Sequence, residues 1–128
     1  MNLSERTAAL KARLDAKPGV TTLAGAPPRS SVPNTLRYKV MEKMFAILSV
    51  RGAEWVILKC DEHLAQVLKA QYAGIGHRTH LDPRFWICVA LDADVPAAEI
   101  ERLADHAYDL VRAGLTRKQQ AQLKGETA

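Results

Sequence analysis

Residues 36–59 read LRYKVMEKMFAILSVRGAEWVILK and contain three short apolar segments separated only by turns. In the first, residues 36–40, apolar and basic side chains alternate with the period of two expected of a strand that has one buried face. Residues 44–50 and 55–60 are apolar at successive positions, which is typical of strands covered on both faces. This stretch therefore predicts an antiparallel meander, because its connections are too short for a crossover helix.

Helical patterns and further strands flank this meander. Ser4 and Asp61 are placed to cap helices on either side of it, and a long stripe with a 3.6-residue period follows Pro96. Residues 85–91 read as a fourth main strand, and residues 20–23 as a short edge strand. The order predicts an α+β domain with an antiparallel sheet of four to five strands and helices packed mainly on one face.

The chain of 128 residues is predicted to form a single domain over residues 1–128. Glycines, prolines and serines break any periodicity over about residues 24–34, so we expect a flexible loop there. A capping box, Thr116 with Gln119, begins a short last helix that should end near Leu123. Residues 124–128 should form a frayed tail.

The bulk properties favour a cytoplasmic protein without a membrane segment. No window holds the roughly 18 apolar residues that a spanning helix needs, and residues 1–6 do not resemble a signal peptide. Cys60 and Cys88 lie in apolar runs and are expected to be reduced thiols. No pattern in the amino-acid sequence indicates the oligomeric state, and we expect a monomer.

The sequence offers no convincing catalytic or metal motif. His77 and His80 form a single close pair without a second pair to complete a zinc site. The paired carboxylates at the strand-to-helix junctions are better explained as helix caps than as acid and base. We therefore expect no metal, no cofactor and no enzymatic activity.

Two features could support binding of an anion. The net charge is +4, and residues 1–40 carry seven Lys or Arg against two acidic residues. In addition, Lys59, His80, Trp86 and Tyr108 could lie at one level of the fold and form an anion-accepting pocket. The plainer interpretation is that Trp86 and Tyr108 are core residues with one satisfied polar tip.

Several short segments stand in a specific order and spacing: Tyr38-Lys39-Val40, Lys43-Met44-Phe45-Ala46, Leu58-Lys59-Cys60-Asp61, His80 with Trp86 six residues later, and Ala107-Tyr108. Together these segments, over about residues 36–123, resemble the MmcQ/YjbR family. Two positions depart from the family pattern: Glu42 replaces a frequent glycine, and Ala107 replaces a common serine.

The resemblance implies a frataxin-like (CyaY-like) α+β fold, similar to double-wing DNA-binding domains, in a cytoplasmic protein. Our first hypothesis is accordingly a non-enzymatic DNA-binding protein whose hairpin residues Arg37, Lys39, Lys43 and Arg51 contact phosphates. The alternative is a small-ligand or protein-interaction module that uses the pocket set. Fold similarity alone does not decide between them.

Overall fold

A computed structural model of the protein describes residues 4–25, 34–77 and 81–127, with side chains through residue 123. The helices are α1 (Glu5–Asp15), α2 (Glu62–Gln71), α3 (Ala97–Ala113) and α4 (Arg117–Thr127). The strands are β1 (Val20–Gly25), β2 (Thr35–Val40), β3 (Lys43–Ser49), β4 (Trp55–Lys59), β5 (Ile75–Gly76) and β6 (Trp86–Ala90).

The described strands form one sheet in the order β1-β2-β3-β4-β6-β5, and every neighbouring pair is antiparallel. The predicted α+β class and the meander, which is β2-β3-β4, are confirmed. The sheet has six strands rather than four or five, because β1 pairs along its full length and the two-residue β5 adds an edge beside β6.

The hydrophobic core lies on one side of this sheet. Tyr38, Ala46, Leu58 and Ile87 are paired in register across β2, β3, β4 and β6, and all four belong to the core cluster. Buried residues of all four helices join the same cluster, with α3 packed across β2, β3 and β4. Because side chains alternate along a strand, the intervening residues point to the opposite side, which we call the outer face.

A tight two-residue turn connects β2 to β3. Its central residues, Met41 and Glu42, have φ angles of 49° and 68°. Positive φ at both positions is the mark of a type I′ turn, whose twist matches that of the flanking strands. Just beyond it, the register shifts at Tyr38 and Lys39, so that Phe45 forms a bulge. The bulge directs Phe45 into the core, where its ring centroid lies 5.5 Å from that of Tyr108.

The predicted helix caps are present. The side chains of Ser4 and Asp61 each accept a hydrogen bond of 3.2 Å, from the backbone N–H groups of Thr7 and Leu64 respectively. Thr116 and Gln119 form the reciprocal capping box, with both bonds at 3.1 Å. The helix that they begin runs to Thr127, beyond its predicted end near Leu123.

Ion pairs and buried hydroxyls attach α1 and its C-terminal segment to the rest of the domain. Asp105 on α3 accepts two bonds from the Arg13 guanidinium, at 2.7 and 2.9 Å, and one of 2.6 Å from Lys17. These contacts hold the pKa of Asp105 at about 2, mainly through the Arg13 hydrogen bonds. The hydroxyl of Tyr38 donates to Asp15 across 2.9 Å.

Some predictions fall partly or wholly outside the described residues. Most of the loop predicted at residues 24–34 does so, as does His80.

Cys60 is a buried thiol, and burial raises its pKa to about 11. Within the described part of the chain, no helix has the length and apolar character to cross a bilayer.

Candidate nucleic-acid interface on the outer face

The outer face carries positive but no negative charge along its strands. One row of paired residues crosses this face, with one residue from each of five neighbouring strands: Leu23, Arg37, Ile47, Ile57 and Cys88. None of the six described strands contains an aspartate or glutamate. The cations on this face are Arg37, Lys39 and Lys59. Nothing in the strands themselves therefore neutralises them.

Arg37 and Lys39 are neighbours on one side of β2. They are two residues apart, which places their Cα atoms roughly 6.6 Å apart along the strand. Arg37 is exposed and Lys39 is partly exposed, and neither forms a salt bridge with a described residue. Lys39 pairs with Met44 on β3, and Lys59 lies two strands away from Lys39, at the end of β4.

Lys59 lies over two aromatic rings. It is paired in register with Trp86, and its amino group is 5.0 Å from the centroid of that ring and 5.5 Å from that of Phe85. A cation over an aromatic face is held by the quadrupole of the ring. Arg84, beside it, is bound to Asp82, and this bond lowers the pKa of Asp82 to about 2. The charge of Arg84 is therefore already compensated. Lys59 forms no salt bridge with a described residue, although its charge also helps to lower the pKa of Asp82.

A groove of about 290 Å³ runs across the middle of the outer face. Its walls are mostly apolar and come from β3, β4 and the segment before β6: Met44, Ile47, Trp55, Ile57 and Leu81. Among the described residues, its polar lining side chains are Thr35 and Arg37. The groove thus combines an apolar interior with a cation at its rim.

The remaining predicted phosphate contacts lie elsewhere on the sheet. Lys43 is exposed and pairs with Val40, which is a core residue. Its side chain therefore leaves the strand on the core side of the hairpin, opposite to the side chain of Lys39. Arg51 is exposed in the turn between β3 and β4. Lys43 begins β3 and Arg51 follows its far end, so the strand between them spans roughly 20 Å. The structure therefore brings Arg37 and Lys39 together, and places Lys43 and Arg51 at opposite ends of the sheet.

The predicted anion pocket is divided by the sheet. Lys59 and Trp86 are in contact on the outer face, whereas Tyr108 lies in the core on the helical side, where burial raises the pKa of its hydroxyl. That hydroxyl donates to the Pro18 carbonyl at 2.6 Å, and Lys17 lies 5.3 Å from its ring centroid. Tyr108 thus fits the plainer interpretation of a core residue with a satisfied polar tip.

The groove is not among the sites predicted from the sequence. The two residues of β4 that line it, Trp55 and Ile57, lie at alternate positions of the strand. The continuous apolar run of this strand predicts burial on both faces. This is confirmed for its centre, where Val56, Ile57 and Leu58 are all buried, whereas Trp55 and Lys59 at its ends are partly exposed. Among the described residues, no three His, Cys, Asp or Glu side chains lie together in a way that could hold a metal ion.

Comparisons with known proteins agree with this architecture. A Deinococcus radiodurans protein with a DUF419 domain superposes with a TM-score of 0.72 and 27% identity, over 90% of this chain and 85% of its own. A Pseudomonas syringae protein solved by crystallography has a TM-score of 0.61 at 21% identity, over 86% of this chain and 98% of its own. Its solution NMR structure gives 0.59 at the same identity, with 86% and 92% covered. The likeness to the Pseudomonas syringae structures shows the fold alone.

No curated protein matches the chain. The model of the YjbR family, in contrast, matches residues 15–110, which include the whole sheet and most of α3. This match extends the resemblance noted in the sequence to the N-terminal edge strand. The chain belongs to the YjbR family.

Proposed function

We propose that this protein is a non-enzymatic DNA-binding protein that contacts phosphates through the outer face of its sheet. Arg37 and Lys39 are the principal contacts. Lys59, two strands away on the same face, is a further contact, and Lys43 and Arg51 are peripheral ones. Among the described residues, the polar side chains that line the groove are Thr35 and Arg37, which suit the binding of an anion.

The observation that carries the proposal is the absence of acidic residues from all six described strands, while Arg37, Lys39 and Lys59 share one face. A surface with unneutralised cations of one sign attracts polyanions and accelerates their association. Phosphate contacts of this kind provide affinity and orientation but do not read sequence. The expected binding is therefore strong at low salt and tolerant of sequence.

The test is fluorescence anisotropy with a labelled 20-nucleotide DNA, as a single strand and as a duplex, over a salt series. Each neutralised phosphate contributes a slope of about −0.7 to −0.9 to the logarithm of affinity against the logarithm of salt concentration. The double variant Arg37→Ala/Lys39→Ala should bind more weakly and lose roughly 1.4 to 1.8 units of that slope.

The matched control is Arg117→Ala/Lys118→Ala, which removes the same charge from two exposed positions on α4, a helix on the core side of the sheet. It should retain most of the affinity and the slope. Equal losses in the two double variants would show that net charge rather than the outer face drives binding. No binding to either DNA at low salt would remove the proposal.

A small anionic ligand is the second candidate. The favouring observation is Arg37 at the rim of a groove of about 290 Å³, close to the lower limit of small-molecule sites. In this case a nucleoside monophosphate should stabilise the protein in a thermal-shift assay as well as an oligonucleotide does. Stabilisation by the oligonucleotide alone would favour DNA binding.

A further inference from the structure

We infer that the outer face prefers single-stranded to duplex DNA, and that it holds one unstacked base in the groove beside Trp55. This inference rests on the proposed function and specifies its ligand. It depends on three observations: the shape of the groove, the position of its cation, and the breadth of the sheet around it.

The groove and its rim are chemically complementary to the two parts of a nucleotide, the base and the phosphate. A base has apolar faces, and Trp55, Ile47 and Met44, which line the groove and are partly exposed, provide apolar contact for such a face. Its phosphate would lie at the rim, where Arg37 is exposed. Stacking on an aromatic side chain tolerates any base, because every base has a π-face. The groove and the cations together therefore complement a flexible polyanion with exposed bases.

The same surface fits a duplex poorly. In a duplex the bases are stacked and paired, and none can enter the groove without being extruded. Six strands at about 4.8 Å spacing form a face roughly 24 Å wide, about twice the width of the major groove. The β2–β3 hairpin does not project as a separate ribbon, because β1 pairs with β2 as far as Val40, directly before the turn. A duplex would therefore touch this face only through phosphates.

The experiment compares a fluorescein-labelled (dT)12 single strand with a 12-bp duplex by anisotropy at one low salt concentration. We expect the single strand to bind at least fivefold more tightly. Trp55→Ala should weaken single-strand binding by about tenfold or more, and so reduce the ratio between the two affinities. Trp55→Phe, which keeps a ring, should retain most of this ratio.

Further measurements distinguish a loss of DNA binding from a loss of folding. Val67→Ala, at an exposed position of α2, is the control and should leave both affinities unchanged. The protein has two tryptophans, so Trp86→Phe leaves Trp55 as the sole fluorophore, and (dT)12 should quench it. Circular dichroism establishes that each variant is folded before titration.

The outcomes separate this inference from the proposed function. If the duplex binds as tightly as the single strand, and Trp55→Ala changes both equally, the single-strand preference is wrong while DNA binding stands. If Trp55 fluorescence is unchanged at saturation, the groove is not the base site. If neither DNA binds, both proposals fail.

Discussion

The turn between β2 and β3 should become more stable when Glu42 is replaced by glycine. Glu42 has a φ of 68° and an exposed side chain. A residue with a Cβ pays about 1–2 kcal/mol in the left-handed region, whereas glycine adopts it freely. Glycine loses more backbone entropy on folding, at a cost of about 0.5–1 kcal/mol. The net expectation is a gain of about 0.5–1 kcal/mol in the free energy of unfolding.

Met41, the other residue of the turn, is less suitable for this test because its side chain packs against the core. For Glu42→Gly, the gain corresponds to a rise in Tm of about 2–4 °C for a domain of this size. Thermal and urea denaturation followed by circular dichroism measure it. The matched control is Glu42→Ala, which removes the same carboxylate but keeps the Cβ. If Glu42→Gly is no more stable than Glu42→Ala, the turn does not have the strained geometry described.

Three other side chains give predictions with separate readouts. Asp105→Asn should destabilise the protein by about 1 kcal/mol above pH 5, a value reduced from the full pKa shift because the carboxylate is 34% exposed. The folded-state pKa of Asp105 is depressed, so its contribution is present above pH 4 and is lost as pH falls towards 2. Wild type and variant should therefore converge in acid, and a constant difference would contradict this. Tyr38→Phe removes the hydroxyl bonded to Asp15 and should cost about 1 kcal/mol in urea denaturation. Tyr108→Phe should cost a similar amount through the bond to Pro18, and little change in either would show that water replaces these bonds.

Much of the architecture follows from local chemistry that is visible in the sequence. The alternation in residues 36–40 determines which side of β2 faces the core, since one register leaves Tyr38 and Val40 buried. Ser4, Asp61 and the capping box at Thr116 act over three residues, so their geometry depends little on the rest of the fold. Features of this kind could be predicted, and the structure confirms them.

The features that depend on distant partners could not be predicted in this way. β1 contains two threonines and ends in a glycine, and only its pairing with β2 makes it a full strand. The type I′ turn at Met41 and Glu42 lacks glycine, so its conformation follows from the flanking strands. The separation of Tyr108 from Lys59 and Trp86 depends on the side of the sheet that α3 covers, which no local pattern specifies.

The most direct measurement is an NMR titration of ¹⁵N-labelled protein with (dT)12. If the outer face binds DNA, the largest chemical-shift changes should fall on Arg37, Lys39 and Ile47, together with the indole N–H of Trp55. The buried stripe of α3, including Ala104 and Ala107, should change little because the sheet separates it from the ligand. Changes concentrated on α1 and α3, or none at saturating DNA, would contradict the assignment of binding to this face.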